Sequence, residues 1–277
     1  MDLDRERRMT RPVRLIGLPT DSHSSFLRGP AGAPVAIRAA LASEHSNRAA
    51  ESGLELGLDI AFEDGGDLAL QEDAGDPARI SEAAESTAFA GAVPLFLGGD
   101  HMVSFPIVEG LARVHGPVNI LHFDAHPDLY DDFEGDPLSH ASPFARIMER
   151  GLASRLVQVG IRTLNRHCRE QAQRFGVEIV EMRHFEAAAV PIPPAPLYIS
   201  IDLDALDPAF APGVSHHEPG GLSVRDILDV LHRVDGGIVG ADVVELNPKR
   251  DINGMTATVA AKLVKELAAL AHPSNPA

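Results

Sequence analysis

The sequence of 277 residues contains a single cysteine and no tryptophan. One cysteine, Cys168, excludes an intramolecular disulfide and is typical of a reducing compartment. No apolar run is long enough to span a bilayer, and the charged start MDLDRERRMTRP lacks the apolar segment of a signal peptide. Together these absences predict a soluble cytoplasmic protein that does not act at a membrane.

Basic residues are also scarce. The chain has 24 Lys and Arg against 40 Asp and Glu, which gives a formal net charge of −16. Such a charge disfavours nucleic acids and anionic membranes as partners and suits a small cationic molecule. The 24 Gly and 21 Pro are scattered rather than clustered into linkers, and 44% apolar residues suffice for a sizeable core. We therefore expect a single domain over residues 1–277.

Short apolar runs alternate with longer helical patterns along the chain. The predicted strands are 13–19, 58–62, 93–98, 118–124, 155–161, 177–182, 196–204 and 237–245. The predicted helical segments are 33–43, 76–92, 102–116, 142–153, 165–176, 222–234 and 255–271. Strands that are apolar at nearly every position are buried on both faces, and their alternation with helices indicates parallel pairing. The pattern predicts an α/β fold, a three-layer α/β/α domain with a mostly parallel sheet of about eight strands; a closed barrel is the alternative.

Four of these strands lead directly into acidic residues or histidine. The strand 93–98 precedes His101, 118–124 runs into DAHPD, 196–204 ends in DLD and 237–245 ends in Glu245. In open parallel sheets, ligands bind beyond the carboxyl ends of the strands. We therefore expect these side chains to meet at one edge of the sheet.

The side chains at these strand ends have the composition of a metal centre. One of them alone would be an ordinary helix cap or a hydrogen-bonded histidine. Alternation along extended segments is expected to turn each set to one side. Four carboxylates and two imidazoles are too many for one tetrahedral zinc and suit two hard cations that share carboxylates. The candidate ligands are His101, Asp124, His126, Asp128, Asp202 and Asp204.

Two cations in acidic surroundings point to a hydrolytic reaction. A binuclear centre activates water for attack on an electrophilic carbon. Acidic surroundings select a positively charged substrate, and guanidinium is the obvious cationic C–N group. Two Mn²⁺ ions per subunit are the first expectation, and Co²⁺, Ni²⁺ or Fe²⁺ suit similar ligands.

Several motifs resemble the signature blocks of the ureohydrolases, the family of arginases, agmatinases and related amidinohydrolases. These blocks are GGDH (98–101), DAHPD (124–128), SIDLDALDPAFAPG (200–213) and DVVELNP (242–248). The resemblance covers nearly the whole chain. It is closest to the plant-type arginases through FEGDPLSHASPFARIMERG (133–151) and APGVSHHEPGGLSVRDIL (211–228).

The resemblance implies a division of the ligands between two metals. One metal would be held by His101, Asp124, Asp128 and Asp202, and the other by Asp124, His126, Asp202 and Asp204. Asp124 and Asp202 would then bridge. It further implies that His140 transfers a proton near the leaving amine, that Glu245 pairs with the substrate guanidinium, and that Asp128 is catalytic. It also implies a homo-oligomer, a trimer or a hexamer.

The resulting prediction is the release of urea from L-arginine to give L-ornithine. The alternatives are agmatine giving putrescine, or another guanidino acid. The nearest candidates to discriminate among substrates by motif are Ser139, Ser142 and Asn165. His216, His217 and Glu218 form either a wall of the pocket or a solvated loop, and the acidic segment 131–136 is either an exposed loop or part of the entrance.

Two other classes of protein are compatible with part of this pattern. A metal-dependent deacetylase resembles the fold and shares the Asp-x-His ligand pattern, but it uses one metal, so the second ligand set disfavours it. An inactive metal-binding subunit would be expected to lack a ligand, His140 or Glu245, and the chain has all of them. Urea release by the purified protein would distinguish these classes.

Overall fold

In the computed structural model, which describes residues 11–272, the chain forms one open sheet of eight strands. The strands are β1 (Val13–Gly17), β2 (Phe62–Asp67), β3 (Val93–Leu97), β4 (Val118–Phe123), β5 (Ala153–Ile161), β6 (Glu178–Glu181), β7 (Leu197–Asp202) and β8 (Ile238–Val244). Their order is β2-β1-β3-β8-β7-β4-β5-β6, and every neighbouring pair is parallel. The predicted parallel sheet is confirmed, and the barrel is excluded because β2 and β6 are separate edges.

Seven α-helices cover the two faces of this sheet in the described part of the chain. They are α1 (Ala33–Leu41), α2 (Asp76–Phe89), α3 (Ser104–His115), α4 (Pro143–Glu149), α5 (Arg166–Phe175), α6 (Val224–Leu231) and α7 (Met255–Leu270). Apolar side chains of α1, α6 and α7 form the core on one face, and those of α2 to α5 form the core on the other. The predicted three-layer α/β/α fold is therefore confirmed. None of the helices described between residues 11 and 272 is long and apolar enough to cross a membrane.

The expected single domain reaches beyond the described residues. Residues 1–10, which make up most of the charged N-terminal segment, and residues 273–277 lie outside them. The extent of the domain over the whole chain stays a prediction.

The second strand lies at a different place from the one that the sequence predicts. The apolar run 58–62 was expected to pair, but Leu58, Asp59 and Ile60 turn back onto Glu55 through backbone hydrogen bonds. The strand begins only at Phe62 and continues through five exposed residues, EDGGD, along the edge of the sheet. An edge strand that is solvated on both faces carries no apolar pattern, so hydrophobic periodicity could not have located it.

Capping residues fix the helix ends nearest the candidate site. Ser223 Oγ accepts a hydrogen bond from the backbone N–H of Asp226, and the Asp226 carboxylate accepts one from the backbone N–H of Ser223. This capping box starts α6 directly after the loop 216–221. At α5, Asn165 Oδ1 accepts from the backbone N–H of Cys168 at 2.9 Å, and Gly176 ends the helix in the left-handed region. The segments that precede α5 and α6 are thereby each anchored where the helix begins.

Candidate metal centre and cavity

The predicted site residues follow four neighbouring strands at the carboxyl edge of the sheet. β3 is followed by His101, β4 by residues 124–128, β7 by residues 202–204 and β8 by Glu245. These strands lie side by side in the order β3-β8-β7-β4. The strand order therefore brings together side chains that are far apart in the sequence, as expected for an open parallel sheet.

A first cluster surrounds His101. Its Nδ1 atom lies 3.0 Å from Asp128 Oδ2, 3.2 Å from Asp124 Oδ2 and 3.2 Å from Asp202 Oδ2. All four side chains are buried. The structure thus assembles the four residues that the resemblance implies for one metal.

A second cluster lies beside the first and shares Asp124 with it. His126 Nδ1 is 3.1 Å from Asp204 Oδ2 and 3.4 Å from Asp124 Oδ1. The two oxygens of Asp124 therefore face different clusters. Asp202 is placed less symmetrically, because its Oδ1 accepts a hydrogen bond from the backbone N–H of Asp204 at 2.8 Å.

Turns, rather than the alternation of an extended strand, direct these side chains. β4 ends at Phe123, and the backbone N–H of His126 donates to Asp124 Oδ1 at 2.6 Å. Asp128 has φ of 49°, in the left-handed region that non-glycine residues rarely adopt. β7 ends at Asp202, and Asp204 lies in a short 3₁₀ turn. The expected convergence is found, but the predicted local geometry is wrong because both segments curl within two residues of the strand end.

The electrostatics of the clusters favour added positive charge. Burial raises the pKa of Asp202 well above its ordinary value, and the carboxylates of Asp204 and Asp124 raise it further. Burial also raises the pKa of Asp204 to about 6, although His126 opposes this. Burial lowers the pKa of His101, but the surrounding carboxylates outweigh it and hold that pKa well above its usual range. The buried carboxylates repel one another and stabilise a cation placed among them.

The donor set fits metal ions. His101 Nδ1 is buried and makes no hydrogen bond with suitable geometry to any of residues 11–272. Three carboxylate oxygens nevertheless lie within 3.2 Å of it. An atom that faces several oxygens equally and bonds to none of them is arranged as a ligand of a shared cation. Imidazole and carboxylate ligands together suit divalent transition metals. The two clusters are therefore candidate sites for a pair of divalent cations.

His122 is a functional residue that the sequence analysis missed. It is fully buried in β4, and its Nε2 lies 2.9 Å from Asp124 Oδ2. Its Nδ1 accepts from Gln158 Nε2 at 3.1 Å, and its ring stacks on Phe144 at 4.0 Å between centroids. Because both ring nitrogens are engaged, we expect His122 to orient Asp124 from behind rather than to add a ligand to the group that it forms with His101 and Asp124. A histidine inside a buried strand of mainly apolar residues was the signal that could have identified it.

Replacing His122 by phenylalanine is expected to weaken metal binding by about 10- to 100-fold, the usual effect of removing the partner of a metal ligand. The phenyl ring retains the stacking on Phe144 but leaves Asp124 Oδ2 without its donor. Titration with Mn²⁺ followed by metal analysis measures the effect. His184→Phe, at an exposed position outside the cavity, is the matched control. An unchanged affinity in His122→Phe would contradict the orienting role.

Glu245 and His140 form a buried pair next to the first cluster. Glu245 Oε1 accepts from the backbone N–H of His101 and lies 2.9 Å from His140 Nδ1. Burial lowers the pKa of His140, but Glu245 outweighs it and raises that pKa to about 9. Glu245 has φ of 66°, and this left-handed turn after β8 directs its carboxylate towards His140.

Ser25 was also missed by the sequence analysis, because nothing in its local sequence marks it. Its Oγ lies 2.8 Å from His140 Nε2, so both ring nitrogens of His140 have partners. The same segment is held by His23, whose carbonyl accepts from the backbone N–H of His140 and whose backbone N–H donates to Asp100. Asp100 thereby supports the segment that holds His140.

A cavity of about 240 Å³ opens over the two clusters. Its walls include metal-ligand candidates, the Glu245–His140 pair and side chains of the surrounding loops. The lining residues are Ser25, His126, Pro127, Asp128, Tyr130, Phe133, His140, Ala141, Thr163, Cys168, Asp202, Asp204, His216, Glu218 and Glu245. The cavity can therefore present carboxylates, imidazoles and hydroxyls to one small molecule.

Of the four predicted substrate-contact residues, Glu245 lines the cavity and the other three lie elsewhere. Ser139 and Ser142 are buried and do not line the cavity. Asn165 is exposed, caps α5 through Oδ1 and donates through Nδ2 to the hydroxyl of Tyr130. The structure does not bring these three to the cavity, and their contact with substrate stays a prediction.

The structure separates the roles that the sequence left open for the loop 216–221. His216 and Glu218 line the cavity, and the Glu218 carboxylate lies 3.8 Å from His126 Nε2. His217 is exposed, and its Nε2 lies 2.7 Å from the carbonyl of Pro212. In the acidic segment, Asp136 bonds to His23, whereas the carboxylates of residues 131, 132 and 134 are exposed. Most of that segment is therefore a solvated loop.

Comparisons with known proteins agree with this geometry. The sequence model of the Arginase family matches residues 11–269. Arginase 1, mitochondrial, from Arabidopsis thaliana is 53% identical over 272 residues, which cover 92% of this chain and 80% of that protein. Agmatinase from Bacillus subtilis is 32% identical, covering 91% of this chain and 89% of its own. The solved arginase from Medicago truncatula has a TM-score of 0.86 and 44% identity, covering 98% of this chain and 91% of that one.

These relatives contradict the predicted cytoplasmic location. The Arabidopsis protein and other plant arginases similar to this chain carry the words mitochondrial or chloroplastic in their names. A single cysteine and an acidic composition are compatible with more than one cellular compartment. Because several compartments share those properties, composition could not distinguish among them.

The family match covers all of the motifs on which the resemblance rested. Residues 11–269 include the four strand-end blocks, the His140 segment and the loop 216–221. The resemblance to the ureohydrolases is confirmed, and with it the prediction of a ureohydrolase enzyme. This chain belongs to the arginase family.

Proposed function

We propose that this protein is a binuclear metal-dependent amidinohydrolase that converts L-arginine and water to L-ornithine and urea. The observation that carries the proposal is the pair of His/Asp clusters joined through Asp124 and opening into one cavity with Glu245 and His140. Such a cavity combines sites for cations with a carboxylate and a proton donor. Urea release from arginine by the purified, manganese-loaded protein is the direct test.

Two Mn²⁺ ions are the proposed cofactors, and Co²⁺, Ni²⁺ or Fe²⁺ are the other metals that suit these ligands. His101, Asp124, Asp128 and Asp202 would hold one ion, and Asp124, His126, Asp202 and Asp204 the other. When bound, such ions supply Lewis acidity that makes water a nucleophile near neutral pH. The short distances within each cluster and the mutual repulsion of the carboxylates support this assignment.

Glu245 is the proposed partner of the substrate guanidinium. A carboxylate accepts parallel hydrogen bonds from a planar guanidinium and compensates its charge. Glu245 lines the cavity, and its Oε1 is already bound by His101 and His140. The pKa of Glu245 is below its ordinary value because His140 and His101 outweigh the effect of burial. Glu245 is therefore negatively charged when a cationic substrate enters.

His140 is the proposed proton donor to the leaving amine. Attack of water on the guanidinium carbon Cζ is followed by cleavage of the Cζ–Nε bond. The departing amine must gain a proton, and the protons that water gives up restore the one that the donor loses. With a pKa raised to about 9 by Glu245, His140 carries that proton at neutral pH. Asp128 is the third proposed catalytic residue, since it joins the first cluster and lines the cavity.

The substrate is expected to be a small cationic guanidino compound, in keeping with the net charge of −16. A homo-oligomer, a trimer or a hexamer, stays the proposed assembly. Agmatine is the second candidate substrate, since a Bacillus subtilis agmatinase is 32% identical to this chain. Glu218 at the cavity favours a substrate with an ammonium group near the entrance, which arginine and agmatine both possess.

We expect kcat/KM for arginine to exceed that for agmatine by about 10- to 100-fold, the effect of one charge-assisted hydrogen bond to the substrate carboxylate. Ser25 and Tyr130 line the cavity, and their hydroxyl groups can donate such a bond. Steady-state assays of urea release with both compounds measure the ratio. A preference for agmatine would reverse the substrate assignment, and absence of urea from both would reject the proposed reaction.

A further inference from the structure

Arg162 donates hydrogen bonds to several backbone carbonyls, and the proposed reaction assigns it no role. It follows β5 in the segment GIRTLN and is half-buried. Its Nε donates to the carbonyl of Glu218 at 2.9 Å, and its Nη2 donates to the same carbonyl and, at 2.7 Å, to that of Asp204. Its Nη1 donates to the carbonyls of Gly160 and Ala205. One guanidinium thus holds three separate segments.

Two of these segments carry side chains of the site. Asp204 belongs to the second cluster, at 3.1 Å from His126 Nδ1. Glu218 lines the cavity on the other side of His126, at 3.8 Å from its Nε2. Arg162 binds the backbone of both residues and contacts neither carboxylate. It therefore fixes the backbone positions from which the two side chains extend.

The backbone of Arg162 completes the junction. Its N–H donates to the carbonyl of Ala125 at 3.0 Å, between the cluster residues Asp124 and His126. Ala125 in turn donates its own N–H to Asp204 Oδ1 at 3.2 Å. The loop after β4, the turn after β7 and the loop 216–221 therefore meet at Arg162.

Other contacts fasten the C-terminal end of the loop 216–221 but not Glu218 itself. Asp207 accepts from the backbone N–H groups of Gly220 and Gly221. At Gly221, a Cβ atom would lie 2.7 Å from Arg162 Nη2 and 2.7 Å from the backbone nitrogen of Asp207. The glycine leaves room for the guanidinium, which is consistent with a junction built around it.

We infer that Arg162 is a positioning residue that locks the loop of Glu218 onto the turn of Asp204, and thereby fixes the second metal cluster and the adjoining cavity wall. The inference rests on the proposed function, because it assigns Arg162 a role at that same site. A lysine cannot replace the planar fork, since its single ammonium reaches fewer carbonyls at once.

The test compares Arg162→Lys with Arg233→Lys in the full chain. Arg233 also donates to backbone carbonyls, those of Ala187 and Val190, but none of the three lines the cavity. Titration with Mn²⁺ alone, followed by metal analysis, gives the affinity of each site, and steady-state kinetics with arginine gives KM and kcat. In Arg162→Lys we expect one ion to bind as in the wild type and the other about 10- to 100-fold more weakly.

KM for arginine should also rise in Arg162→Lys when manganese is saturating, because the wall that carries Glu218 is no longer fixed. Arg233→Lys should keep both affinities and KM. Wild-type metal affinities together with wild-type KM in Arg162→Lys would overturn the inference. The metal titration needs no turnover, so it decides on Arg162 even if the wild-type protein releases no urea and the proposed reaction fails.

Gly221→Ala is the second variant, which leaves the charge of Arg162 in place and crowds the junction at Nη2 and at the backbone of Ala205 and Asp207. The same selective loss of one metal ion is expected. Circular dichroism of each variant monitors the fold. If both variants lose the fold while Arg233→Lys keeps it, Arg162 serves the fold alone and the positioning role is rejected.

Discussion

Asp124→Asn is expected to leave the protein without its pair of metal ions and to reduce urea release by about a thousandfold or more. The two oxygens of Asp124 face different clusters, at 3.2 Å from His101 Nδ1 and 3.4 Å from His126 Nδ1. Asparagine offers one weaker neutral oxygen in place of a bridging charge. Bound metal contributes several kcal/mol to transition-state stabilisation, and each 1.36 kcal/mol corresponds to about a tenfold change in rate.

The variant should fold, because the amide oxygen of asparagine can still accept from the backbone N–H of His126. Metal analysis after dialysis, together with the urea assay, measures the outcome. Asp131→Asn removes one charge from the exposed loop near the cavity and is the matched control. His101→Asn should weaken mainly one site, since His101 belongs to the first cluster alone. Two tightly bound ions in Asp124→Asn would contradict the shared role of this carboxylate.

The bridging role proposed for Asp202 can be compared with that of Asp124. The resemblance implies that it also bridges, but in the structure only Oδ2 faces His101, while Oδ1 accepts from the backbone N–H of Asp204. Its proposed bridging role requires that Oδ1 serve the second metal in spite of this bond. Similar losses at both metal sites in Asp202→Asn and Asp124→Asn would support two bridging carboxylates.

The sequence predicts much of the fold because buried parallel strands carry a strong signal. β3, β4, β7 and β8 consist mainly of apolar residues and are buried at every position, and each ends within two residues of its expected end. Residues that follow such strands are placed by the topology, so the metal-ligand candidates could be found without knowing any contact. The exposed edge strand β2 has no such pattern and was misplaced.

Residues whose contacts are distant in the sequence were harder to predict. Ser25 reaches His140 through a loop, and Arg162 reaches Glu218 across 56 positions of sequence. Neither has a neighbour in the sequence that marks its role, because each is defined by the folded loops around it. At Asn165 a motif position suggested a substrate contact; in the structure its Oδ1 caps a helix, and the contact stays a prediction.

His140→Asn is expected to lower kcat by about 10²- to 10⁴-fold, the usual contribution of a general acid or base, while both metal ions stay bound. His140 lies 2.9 Å from Glu245 Oε1 and 2.8 Å from Ser25 Oγ, and neither contact involves a metal-ligand candidate. Asparagine keeps a polar group of similar reach but cannot carry a proton to the leaving amine. Single-turnover kinetics and metal analysis on the same preparation measure the two quantities separately.

Glu245→Gln separates proton transfer from substrate binding at the same pair. Loss of the charged partner of the guanidinium should raise KM more than it lowers kcat, whereas His140→Asn should act mainly on kcat. Because Glu245 raises the pKa of His140, the two substitutions share one interaction, and the double variant should lose less activity than the product of the single losses. Strictly multiplicative effects would show that the two residues act independently. Loss of metal in His140→Asn would instead place this histidine among the ligands, whereas in the structure its two ring nitrogens face Glu245 and Ser25.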